Sequence, residues 1–122
     1  MKQMLTLVIF LSLFSSCIKD KRTELLIKNN SGFTIDTLRI TYGTEKISKS
    51  YFRKSINSGD TISTVFDMNF KGIDGGYLLE IYQNKKKTGK YFGYYSNATF
   101  KNYIYNLRIE KDTLLIEKSI EK

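Results

Sequence analysis

Beyond residue 20 the apolar residues never repeat with the period of about 3.6 that a helix requires over a helix-like length. Short runs that alternate apolar and polar residues take its place, and that pattern confines the chain to strands. Tyr103-Ile104-Tyr105-Asn106-Leu107-Arg108-Ile109 is the cleanest of them. Thr23 to Lys28 ends at the turn-forming Asn29-Asn30-Ser31-Gly32, and Phe33 to Tyr42 follows. In that second run Ile35 is out of step with Leu38, Ile40 and Tyr42, which predicts a bulge near Asp36-Thr37. Tyr51 to Ile56 is bounded by Asn57-Ser58-Gly59-Asp60, and Thr61 to Met68 turns Ile62 and Val65 inward. Gly72 to Gly76 reads as a loop before the strand Tyr77 to Tyr82. Lys85-Lys86-Lys87-Thr88-Gly89 reads as a hairpin tip leading into Lys90 to Tyr95, and Lys111-Asp112 turns the chain into Leu114 to Ile116.

About seven or eight short strands at a spacing of about 8–12 residues predict an all-β domain. The expected architecture is a small antiparallel β-sandwich of immunoglobulin-like type, with a small barrel as the alternative. Leu38, Ile40, Ile62, Leu79, Ile81, Leu107 and Ile109 form its expected core. The domain is expected over residues 23–118, with 119–122 as a frayed tail. A single cysteine cannot make an intrachain disulfide, so this core must rest on packing, and the many Tyr and Phe residues supply it.

The first residues follow a different logic. Met1-Lys2-Gln3 carries one positive charge, Met4 to Phe14 is nearly all apolar, and Ser15-Ser16 precede the lone Cys17. Basic, apolar, then small is the order of a secretory signal helix. The apolar run is too short to cross a bilayer, which takes about 20 residues. Leu13-Phe14-Ser15-Ser16-Cys17 resembles the lipobox of bacterial lipoproteins, with Phe14 where that pattern usually has Leu. The resemblance implies that residues 1–16 are a signal peptide and that Cys17 is lipidated and becomes the first mature residue. It makes 17–22 a lipidated cysteine and tether, and the whole a small Bacteroidota-type envelope lipoprotein held to the outer membrane. Lys19-Asp20-Lys21 only faintly resembles the surface-export signal of that phylum, so the periplasmic face and the cell surface both stay open.

Chemistry is narrowed by what the chain lacks. It has no His, and its one Cys is the expected lipidation site, so His-based triads, thiol proteases and His/Cys zinc sets cannot be assembled from it. Most aspartates sit beside turns, where Asp bonds its own backbone. No catalytic residue, metal or cofactor is expected, and the domain reads as non-enzymatic. Twenty basic residues against twelve acidic give a formal +8, which favours acidic partners.

The candidate binding residues are Lys85, Lys86, Lys87, Tyr91 and Tyr95, from the basic and aromatic stretch Lys85 to Tyr95; with Tyr103 and Tyr105, Tyr91 and Tyr95 could form an exposed stacking platform. Lys90 to Tyr95 partly resembles the RNP1 motif of RNA-recognition domains, but Tyr91 stands where that motif has Gly and the two helices of that fold are missing; nucleic acid is not an expected partner. Asp36-Thr37-Leu38, Asp60-Thr61-Ile62 and Asp112-Thr113-Leu114 resemble the Asp-Ser/Thr-apolar acceptor of Bacteroidota O-glycosylation, which implies modification at Thr37, Thr61 and Thr113. Turn-to-strand transitions produce the same triplet. The expected function is partner binding, to protein or glycan, by a membrane-anchored domain. The alternative is an immunity or inhibitor lipoprotein that neutralises a toxin or hydrolase.

Overall fold

The computed structural model describes residues 20–43, 48–69, 74–96 and 99–121, so Cys17 and the segment before it lie outside the described residues. Eight strands follow one another: β1 (Arg22–Asn29), β2 (Ile35–Gly43), β3 (Ser48–Ile56), β4 (Thr61–Asp67), β5 (Gly75–Gln83), β6 (Lys86–Tyr95), β7 (Tyr103–Ile109) and β8 (Leu114–Ile120). They form two four-stranded sheets, ordered β4-β1-β7-β8 and β3-β2-β5-β6. The all-β, two-sheet expectation holds, and Leu38, Ile40, Leu79, Leu107 and Ile109 are buried between the sheets as expected. Ile62 and Ile81 pack at its margin.

Most pairs are antiparallel as expected, but the strand order departs from the expected immunoglobulin-like arrangement. An immunoglobulin sheet places its first two strands side by side, whereas β1 and β2 here lie in opposite sheets. β1 runs parallel to β7, with Leu25 opposite Tyr105 and Ile27 opposite Leu107. Alternation tells which face of a strand is buried; it carries no information about which strand lies next to which.

One buried side chain sets the crossing from β1 to β2. Asn29 closes β1 fully buried. Its Nδ2 donates to the carbonyl oxygens of Phe33 (2.8 Å) and Ile56 (2.9 Å), and its Oδ1 accepts from Ser31 N (3.1 Å) and Ser31 Oγ (2.7 Å). The Asn29 backbone also bonds Asp60 O and Gly59 N. All four side-chain hydrogen bonds are made, so the amide is buried without an orphaned group. It ties the ends of β1 and β3 to the loop that enters β2, and turns the chain across the sandwich where a hairpin would have kept it in one sheet.

The core is strongly aromatic. Tyr42 stacks on Phe66 at 4.3 Å and Tyr77 on Phe92 at 5.1 Å, while Tyr105 meets Tyr77 and Phe92 edge-on. The Tyr77 hydroxyl lies 2.6 Å from Thr23 Oγ1, which lets a polar pair sit inside.

Several local expectations shift. No register change occurs at Asp36-Thr37; the irregularity lies on the opposite strand, where Ser55 takes a φ of 56°. Val65 is 58% exposed and Phe66 takes the inward place, because Phe66 and Ile62 share parity. The hairpin tip is Asn84-Lys85, both left-handed (φ 48° and 62°), as a two-residue type I′ turn demands. Lys86 to Gly89 therefore belong to β6. Gly75 and Gly76 begin β5, and Ser119 and Ile120, expected in a frayed tail, are paired with Ile104 and Tyr103.

Candidate functional site

The outer face of the β3-β2-β5-β6 sheet collects the least expected side chains. Pairing sets Phe52 beside Arg39 and Arg39 beside Glu80, with Gly89 beyond. Two residues along each strand, and so on the same face, lies a second row of Lys54, Thr37, Tyr82 and Lys87, and two residues the other way Leu78 is opposite Tyr91. A glutamate in an outward row would normally be hydrated, yet Glu80 is only 3% exposed.

Its partners explain this. Arg39 Nη2 donates to Glu80 Oε1 (2.6 Å) and Oε2 (2.7 Å), and Lys87 Nζ (3.0 Å) and Tyr82 Oη (3.0 Å) donate to Oε2. The Arg39 guanidinium holds the Glu80 carboxyl down to about 2; burial pushes the other way, and Lys87 and Tyr82 reinforce Arg39. The same carboxylate raises Arg39 and Lys87 above their ordinary values. Arg39 also lies 5.9 Å from the Phe52 ring, and Lys87 5.9 Å from the Tyr82 ring. Two cations on one carboxylate leave the cluster with a net positive charge. Around it Phe52 (57%), Tyr91 (79%) and Tyr94 (65%) hold rings out to solvent.

Glu80 gives the site a pH signature. A carboxylate depressed in the fold contributes stability that is complete above its ordinary value of 4.5 and is lost as pH falls toward about 2. Chemical denaturation at a series of pH values should therefore show stability falling between about pH 5 and pH 2. Glu80→Gln, which loses the charge but keeps the shape, should cost about 1–3 kcal/mol near neutral pH and flatten that fall. An unchanged slope in Glu80→Gln would show that the cluster is not what titrates.

The structure redistributes the residues singled out in the sequence. Lys87 belongs to the Glu80 cluster, Lys85 sits in the turn, and Lys86, opposite Gln83, points to the other side of the sheet. The three lysines thus form no single patch. Tyr91 is exposed as expected, but Tyr95 and Tyr105 are buried in the core, so the expected four-tyrosine platform does not exist. Tyr105 is turned inward by the regular alternation of β7, whereas for Tyr95 the cause is a bulge: Gly76 pairs with Tyr94 and Tyr77 with Phe92, leaving Gly93 as the extra residue with φ 66°. That one insertion reverses the alternation, turning Tyr94 out and Tyr95 in. Arg39, Phe52, Glu80 and Tyr94 were missed. A usable hint was Glu80 interrupting the apolar run of Tyr77 to Tyr82, a charge that needs a partner on the neighbouring strand.

The acceptor-like threonines lie apart. Thr61 and Thr113 are exposed, at the start of β4 and in the β7–β8 turn, while Thr37 is half-buried between Lys54 and Tyr82. Two of the three aspartates do turn work: Asp36 accepts from Asn84 N (3.2 Å) and Asp60 from Asn57 N (3.0 Å).

No protein-family model and no curated protein matches the chain. Among solved structures it is similar to a candidate cell adhesion protein from Bacteroides ovatus ATCC 8483, at 16% identity, covering 85% of this chain and 45% of that one, with a TM-score of 0.45. It is also similar to a structure described as a trapped toxin, at 10% identity, covering 84% of this chain and 24% of that one, with a TM-score of 0.42. The chain spans less than half the length of either.

Proposed function

We propose that this chain is a membrane-anchored envelope lipoprotein whose β-domain binds an acidic protein or glycan, without chemistry, through the outer face of the β3-β2-β5-β6 sheet. The observation that carries the reading is the exposure of three rings, Phe52, Tyr91 and Tyr94, on one face with the net positive cluster of Arg39, Glu80 and Lys87. Rigid aromatic side chains at low entropic cost are what partner-binding faces use, and Arg is enriched with them. Lys87 and Arg39 are held in place by Glu80, so little side-chain freedom is lost when a partner meets them.

The lipobox-like Cys17 supplies the anchor in this proposal. The Asp20 carbonyl accepts from Asn102 Nδ2 at 3.1 Å, so the chain is already fixed to the domain there. Asp20 is three steps along the chain from Cys17, a reach of at most about 10 Å. The domain would stand with the start of β1 toward the membrane, the Asn84-Lys85 turn at the far end, and the aromatic face turned sideways. The exposed Thr61 and Thr113 are the acceptors best placed for O-glycosylation.

Intact mass spectrometry of the membrane-extracted protein tests the anchor. A mature chain starting at Cys17 and carrying acyl mass is expected, with Cys17→Ala released or unprocessed. A chain of unmodified mass would remove the anchor from the account. Binding is tested separately: Tyr91→Ala and Phe52→Ala should each weaken capture of envelope partners by about tenfold. Added salt should weaken it further. Equal capture by all forms would place the site elsewhere.

A further inference from the structure

The edge of β4 is a second place where this fold is open. Among the described residues β4 ends its sheet, with β1 on one side and no strand on the other. Asn29 N donates to Asp60 O (2.9 Å) and Met68 N to Lys21 O (2.8 Å), in the same register that joins β1 to β4. Bonded pairs alternate in an antiparallel ladder, so Ile62, Thr64 and Phe66 also bond inward to β1. The N–H and C=O groups of Thr61, Ser63, Val65 and Asp67 therefore point to the open side.

Open edges are usually guarded. β3 carries Lys49, Arg53, Lys54 and the left-handed Ser55; β6 carries Lys86, Lys87, Lys90 and the Gly93 bulge; β8 carries Glu117 and Lys118. From Thr61 to Phe66, β4 has no charge, no Pro, no Gly and no register shift.

Charge selects the occupant. The Tyr51 ring lies 6.0 Å from Phe66, so β3 stands over β4. Lys49 and Arg53 share the parity of Tyr51 and are exposed on either side of it. Hydrogen bonds from Asn69 hold the carboxyl of Asp67, the last residue of β4, below its ordinary value, and the Lys49 charge adds a smaller push in the same direction. A second copy would bring two such pairs of cations together, whereas an acidic strand would lie between them favourably.

We infer that the free edge of β4 takes an added strand, an extended acidic segment of a partner protein, paired through the backbone of Thr61, Ser63, Val65 and Asp67 and roofed by Lys49, Tyr51 and Arg53. This surface is distinct from the aromatic face, and each can fail without the other.

The test uses the full chain in detergent micelles and a dye-labelled synthetic peptide alternating glutamate with valine, read by fluorescence anisotropy. Ser63→Pro removes an outward N–H while leaving the ladder to β1 intact. It should keep the unfolding midpoint and lose about tenfold or more in peptide affinity. Arg53→Glu should weaken binding similarly, and Tyr91→Ala should leave it unchanged. Hydrogen exchange at Ser63, Val65 and Asp67 should slow when peptide is bound. Binding no tighter than that of a peptide with the same residues in blocks would overturn the inference. So would full affinity in both Ser63→Pro and Arg53→Glu, or dependence on Tyr91. If Ser63→Pro does not fold, Arg53→Glu and the exchange of those amides decide.

Discussion

Asn29→Asp is expected to destabilise the domain on the order of 4 kcal/mol. The substitution keeps the shape and replaces the Nδ2 donor with an oxygen. That oxygen would face the carbonyls of Phe33 and Ile56, now held at 2.8 and 2.9 Å by donated hydrogen bonds. Two attractive contacts become repulsive at a residue with no exposed surface, and the carboxylate can escape only by taking a proton or by opening the loop. In a domain whose whole stability is about 5–15 kcal/mol, that is a large share. Thermal unfolding should fall by roughly 15 °C or more, and urea denaturation should show a lower midpoint. Ser31→Ala, which removes one of the two donors to Oδ1, should cost about 1 kcal/mol. A shift for Asn29→Asp no larger than that of Ser31→Ala would mean the amide does not hold the crossing.

The second large effect is expected at Gly93. Its φ of 66° is left-handed, where a side chain costs about 1–2 kcal/mol. A Cβ built there would lie 2.6 Å from Tyr105 Oη and 3.0 Å from Tyr77 Cδ2, both atoms of buried, rigid rings. Overpacking adds about 1–3 kcal/mol, so Gly93→Ala should cost about 2–5 kcal/mol in all. Gly89 is the control. It lies in the same strand without a left-handed backbone, and a Cβ there meets nothing nearer than 3.9 Å. Gly89→Ala should be neutral or slightly stabilising. Equal costs at the two glycines, measured by urea denaturation, would show that the bulge is not fixed by this residue. Because the bulge turns Tyr94 outward and Tyr95 inward, loss of stability at Gly93 and loss of binding should go together.

Strands were legible in the sequence because alternation is imposed by burial on one face, and every expected run has its counterpart in the fold. What alternation could not show was topology. The order of the sheets depends on Asn29, a residue that reads as turn-forming and proves to be a buried hydrogen-bond hub. The same limit hid the site. Strict alternation puts Tyr91 and Tyr95 on one face, and a single left-handed glycine separates them. The Asn84-Lys85 turn lacked the Gly that usually marks type I′, so Lys85 to Gly89 looked like the tip. Arg39 and Glu80 are far apart in sequence, and only the register of β2 against β5 brings them together.

Site-specific photo-crosslinking in intact cells tests the binding face most directly. A photoreactive phenylalanine placed at Phe52, Tyr91 or Tyr94 should trap the partner, and one placed at Leu115, exposed on the opposite sheet, should not. Adducts should weaken when salt is raised before irradiation. Adducts confined to the three ring positions are the result expected here; adducts of equal yield from Leu115, or from Leu115 alone, would contradict it.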